Sequence, residues 1–200
     1  MNRSPARIVR IADPDAAIDA IRSDGRRVVT FMGFSGRGYE DPASVERLLA
    51  DFLAQFDPRS EIVCSGATED GIGAVYPLAK ARGFTTVGIV SAVAEAEGAR
   101  FSDLVDTIYV IDDDSWGGSR NDGTLSPTSV AMAGAADDII AIGGGPIARD
   151  EIEAARKLGK TIHYAAADMN HAAALENARR KGEAPPTEFK GAVHELFEPR

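Results

Sequence analysis

The sequence predicts a doubly wound α/β domain whose mostly parallel sheet lies between two layers of helices, and three observations predict it. Short runs rich in β-branched residues recur about every 20–30 residues. Most of these runs are apolar at consecutive rather than alternating positions, the pattern of strands covered on both faces. Stretches with helical apolar spacing separate them, as the crossovers between parallel strands require.

Seven strands are expected, at 8–11, 28–32, 61–64, 85–90, 107–111, 138–142 and 161–164. Helices are expected at 14–23, 42–56, 71–82, 127–136, 147–158 and 170–181. Asp13-Pro14 and Asp41-Pro42 each set a capping carboxylate before a proline, which lacks only an amide that the first helical turn would leave unpaired. Val45, Leu48, Leu49, Phe52 and Leu53 follow as one apolar stripe that must lie on a sheet. The segment 182–186 reads as a linker to a short C-terminal helix, and residues 1–200 are expected to form one domain.

Thirty-one acidic residues against 22 basic ones give a net charge of −9, which disfavours a general grip on nucleic acid or anionic membrane. No apolar window reaches the length of a membrane span, and the N-terminus lacks a signal-peptide core, so a cytoplasmic protein is expected. Cys64 is the only cysteine, which excludes an internal disulfide and a cysteine-built zinc site.

In an open parallel sheet, ligands sit beyond the carboxyl ends of the strands. Glycines and small polar residues gather there after three strands: Gly33, Ser35 and Gly36; then Ser65, Gly66, Thr68, Gly71 and Gly73; then Gly143, Gly144 and Gly145. Each group leads into a helix, whose first amides have no intrahelical partner and sit at the positive end of the helix dipole. Three such loops on one edge predict a site for a phosphorylated, nucleotide-type small molecule. Trp116, among glycines in a long loop, either stacks on a base or anchors that loop against the domain surface.

Ser65 to Val75, Gly88-Ile89-Val90 and Asp137 to Glu151 resemble the Rossmann-like SLOG superfamily, which includes the LOG phosphoribohydrolases, formerly called lysine decarboxylases, and the DNA-processing protein A family. The resemblance spans about residues 27–165. In LOG enzymes a GGGxxGLMG turn binds nucleotide, and a PGGxGTxxE motif supplies phosphate-binding amides and the catalytic glutamate. Gly144, Gly145 and Glu151 fall in register with the second motif, while Gly143, Ile147 and Ala148 depart from it. LOG enzymes also carry RKxxM, whose arginine works beside the glutamate. Met132 matches that methionine, but Thr128 and Ser129 stand where the arginine and lysine would be. The resemblance therefore implies Glu151 as the catalytic carboxylate, with Arg120 as the substitute cation if its loop folds over the site. It further implies a homodimer or larger assembly and no bound cofactor. Binding is favoured over cleavage of the base–ribose bond, because the glycine loops are present and the arginine is not.

Other constellations are weaker. Gly33, Gly36 and Gly38 give GxxGxG rather than the GxGxxG of dinucleotide enzymes, and Cys64-Ser65 replaces the acidic residue expected at the end of the next strand. Tyr76 and Lys80 have the YxxxK spacing of short-chain dehydrogenases but come too early in the chain. Asp112, Asp113 and Asp114 are read as caps and loop residues rather than metal ligands, and His163, His171 and His194 lack ligand spacing, so no metal is expected.

Overall fold

The computed structural model describes residues 5–36 and 38–198. Seven parallel strands form one sheet: β1 (Arg7–Ile11), β2 (Arg27–Gly33), β3 (Glu61–Ser65), β4 (Thr86–Ser91), β5 (Thr107–Ile111), β6 (Asp138–Ile142) and β7 (Thr161–Ala165), in the order β1-β5-β4-β3-β2-β6-β7. Strands β3, β4 and β6 are buried at every position, which is why they read as unbroken apolar runs.

One face carries α1 (Pro14–Arg22), α5 (Pro127–Ala135) and α6 (Pro146–Lys157), which pack Ala17, Ile21, Ala131, Met132, Ile152 and Ala155 against Met32, Cys64, Ile89 and Ile139. The opposite face carries α2 (Pro42–Leu53), α3 (Val75–Ala81) and α4 (Ala92–Ala96). There Val45, Leu49 and Leu53 lie 3, 0 and 1% exposed, each burial worth roughly 1.5–3 kcal/mol. Helix α7 (His171–Lys181) ends on Gly182 in the left-handed conformation, and α8 (His194–Phe197) is the short C-terminal helix. Among the described residues no helix is long and apolar enough to cross a membrane.

The structure departs from the expected helices at two places. The segment expected as one helix over 71–82 is a 3₁₀ turn, Gly71–Ala74, followed by α3. Gly71 and Gly73 pack on the Phe34 and Thr68 carbonyls, where any β-carbon would collide, and the Ile72 amide donates to Phe34 at 2.8 Å rather than within a helix. Helix α4 was not expected: Ser91 caps it by accepting from the Ala94 amide, but five residues are too few to show a helical period.

From β2 the chain winds outward through β3, β4 and β5, then returns across the sheet through α5 to place β6 on the other side of β2. The strand order therefore reverses between β2 and β6, and the crevice outside this point is where doubly wound sheets receive ligands.

Candidate functional site

Two buried tyrosines shape the loops at the carboxyl edge. Tyr39 accepts from the Phe34 amide at 3.1 Å and donates to the Ile142 carbonyl at 2.8 Å, tying the loop after β2 to the end of β6 across the reversal point. Gly33 is glycine for this reason, since a β-carbon there would collide with the Tyr39 hydroxyl. Tyr76 repeats the device for the loop after β3, accepting from the Ala67 amide at 3.0 Å and donating to the Val87 carbonyl at 3.1 Å. This bond holds Ala67 in the left-handed region at φ 54°, against Gly88. Lys80 binds Asp106, so the YxxxK pair serves the scaffold.

Between the loops lies a cavity of about 570 Å³, a volume in the range of small-molecule sites. Of the residues singled out in the sequence, Gly33, Ser35, Gly36, Ser65, Gly66, Thr68, Trp116, Gly145 and Glu151 line it. The sheet's carboxyl edge, the loop after β5 and the start of α6 thus meet around one space. Gly71, Gly73, Gly143 and Gly144 lie behind it, packed against neighbouring backbone and side chains. Gly144, at φ 131°, is held there by Val193, whose Cγ2 would stand 2.7 Å from an added β-carbon. By contrast, a β-carbon on Gly66 or Gly145 would meet nothing within 4 Å.

Arg120 lies outside the cavity lining. Its guanidinium turns to Asp114 at 3.2 Å and Asp113 at 3.6 Å, so the loop does not bring its charge to Glu151. Asp113 is buried, and although burial alone would raise its pKa, the Thr128 and Ser115 groups it accepts from hold the carboxyl below its ordinary value. Asp113 is therefore the pivot that binds the Trp116 loop to the start of α5.

Thr128 and Ser129 have structural work of their own. The Gly118 amide donates to Ser129 Oγ at 2.8 Å, and Ser129 Oγ donates to Glu151 Oε1 at 2.7 Å. The Ser119 amide in turn donates to Asp150 at 2.8 Å. The Trp116 loop is thus fastened to both α5 and α6, leaving the indole half exposed on the cavity wall. Glu151 is 6% exposed; burial pushes its carboxyl up to about 7, with the Ser129 bond opposing and the charge of Asp150 adding.

Helices α1, α2, α5 and α7 are capped by the side chains of Asp13, Asp41, Ser126 and Asn170, whereas α6 begins on Gly145 with no side-chain cap, and its first turn lines the cavity. Sequence reasoning missed Met32, Met132 and Ile147 as apolar wall, and Arg100 and Phe101 at the far end. Arg100 pairs with Glu69 at 3.1 Å. The signal for Met132 was present in its match to RKxxM; the approach of 99–101 depends on the Thr68–Phe101 bridge, which no spacing reveals.

No protein-family model matches the chain, and no curated protein does. In structure the chain is similar to the molybdenum cofactor carrier protein from Chlamydomonas reinhardtii, with a TM-score of 0.50 and 21% identity over 70% of this chain and 76% of that one. It is also similar to the molybdenum cofactor binding protein from Rippkaea orientalis, with a TM-score of 0.51 and 18% identity over 70% and 76%. DNA processing protein A from Streptococcus pneumoniae aligns with a TM-score of 0.47 and 10% identity over 90% and 62%. These likenesses show the fold, a Rossmann-like α/β/α fold built on a parallel sheet.

Proposed function

We propose that the protein binds a nucleotide or nucleotide derivative in the carboxyl-edge cavity and holds it without cleaving it. The observation that carries this reading is the end of the cavity where α6 begins. The uncapped first turn of α6 offers main-chain donors at its positive end, the right chemistry for a phosphate. Beside it, Thr128 and Ser129 are neutral and Arg120 is engaged elsewhere, so among the described residues a phosphoribohydrolase would lack the cation that works with its glutamate. The apolar wall of Met32, Ile89, Val90 and Met132 suits a heterocycle, with Trp116 as a stacking partner. We extend the proposal to a homodimer or larger assembly, on the strength of the LOG resemblance.

The test is equilibrium dialysis of the protein against AMP and GMP, followed by chromatography for free base. Retained, intact nucleotide is expected. Release of adenine or guanine that disappears in Glu151→Gln would instead establish the hydrolase reading. The molybdenum cofactor, named for the two structural neighbours, belongs in the same dialysis as a ligand to compare.

A further inference from the structure

Glu151 stands one helical turn beyond the α6 amides of Ile147 and Ala148, and the Cα–Cβ bonds of a helix tilt toward its N-terminus. Its carboxyl therefore leans back toward Ile147. Gly117 lies beside both: a β-carbon added there would stand 3.1 Å from Ile147 Cγ2 and 4.0 Å from Glu151 Oε1. An anion drawn to the start of α6 thus comes to rest beside a buried carboxyl group.

Among the described residues, the surrounding charges offer that carboxyl no counter-ion. On α6 itself, Asp150 accepts from the Ser119 amide and from Arg149, which it occupies at 2.8 Å. In the loop after β5, Asp113 is taken by the start of α5, and Asp114 pairs with Arg120. From β3, Cys64 is buried, with its thiol pushed up to about 12 and therefore neutral. Across the cavity stand Asp70 and Arg100, the latter paired with Glu69. Helix α5 presents Thr128 and Ser129, both neutral. Thr128 is 5% exposed on the same wall, and among the described residues its hydroxyl has no hydrogen-bond partner of good geometry. Ser129 bonds Glu151 Oε1, Glu151 lines the cavity, and Oε2 has no bond of its own among the described residues.

We propose that Glu151 meets the phosphate of the bound nucleotide in its neutral form, donating a hydrogen bond from Oε2 to a phosphate oxygen, so that binding draws one proton from solvent. The inference rests on the reading that the cavity takes a phosphorylated ligand. A carboxylic acid then supplies the donor that a cation supplies elsewhere, and the missing arginine follows: a cation at this position would hold Glu151 ionised. The direction of the pKa agrees, because burial has already raised it to about 7 and a neighbouring anion pushes it the same way.

The experiment is isothermal titration of AMP and GMP into the wild type and Glu151→Gln between pH 6 and 8.5, in buffers of differing ionisation enthalpy. Glutamine keeps the acceptor for Ser129 and sets a permanent N–H donor toward the cavity. The two proteins should bind within about twofold of each other at pH 6. Above pH 7 the wild type should fall behind by about tenfold per pH unit, reaching about 30-fold at pH 8.5, while taking up close to one proton more per nucleotide than the variant. The phosphate's own titration is common to both and cancels in the ratio. A ratio that stays flat with pH, or a variant weaker at every pH, would overturn the protonated carboxyl and leave nucleotide binding standing. No heat of binding from either protein at any pH would overturn both.

Discussion

Replacing Glu151 by glutamine should stabilise the protein at neutral and alkaline pH and leave it unchanged in acid. The native carboxyl is buried, its one hydrogen bond among the described residues comes from Ser129, and its pKa is raised from 4.5 to about 7. Below pH 4.5 the group is neutral in both states and costs nothing. As the pH rises, the unfolded chain ionises first, so stability falls between about 4.5 and 7 and is constant beyond. At about 1.4 kcal/mol for each pH unit between the two values, the native state loses on the order of 3 kcal/mol by pH 8. Glutamine keeps the bond from Ser129 and carries no charge to desolvate. In a chain of this length that difference is roughly 6–12 °C in melting temperature. Thermal denaturation of both proteins at pH 4.5, 6, 7 and 8 reads it directly. A difference that does not change with pH, or a variant less stable at pH 8, would refute an uncompensated carboxyl at this position.

Other perturbations separate scaffold from site. Ser129→Ala strips a partner from both the Gly118 amide and Glu151, each worth about 1–3 kcal/mol, and should lower the melting temperature while shifting the emission of Trp116. Arg120→Ala removes an exposed pair with Asp114 and a 3.6 Å contact with Asp113, whose buried carboxyl keeps its bonds from Thr128 and Ser115, so it should cost about 1 kcal/mol and leave AMP affinity in dialysis within twofold. Gly144→Val should destabilise the fold by about 2–4 kcal/mol, measured by urea denaturation, because it combines a left-handed backbone with a collision at Val193. Light scattering at micromolar concentration should give a multiple of 21.1 kDa; a lone 21.1 kDa species would contradict the proposed assembly.

All seven strands were legible because double-sided burial leaves an unbroken apolar run, and the helices of nine or more residues because proline, capping residues and apolar stripes mark them. The strand order was not legible, since nothing in the spacing of β5 and β6 says that α5 crosses the whole sheet. The same limit governs the site. Gly66 and Gly71 look alike in sequence, yet one opens on the cavity and the other abuts the Phe34 carbonyl. The loss of the arginine–lysine pair was visible at Thr128 and Ser129. That Ser129 links the Trp116 loop to Glu151 depends on two side chains 22 positions apart meeting at 2.7 Å.

A nucleotide-type ligand in the cavity at the carboxyl edge would lie against Trp116, the chain's only tryptophan, which stands on the cavity wall. The most direct measurement is the fluorescence of this indole during titration with AMP and GMP, in the wild type and in Gly66→Val, whose added β-carbon would meet nothing within 4 Å. Saturable quenching in the wild type is expected, weakened at least tenfold in the variant at an unchanged melting temperature. Equal quenching in both proteins, or none in the wild type at millimolar nucleotide, would contradict nucleotide binding in this cavity.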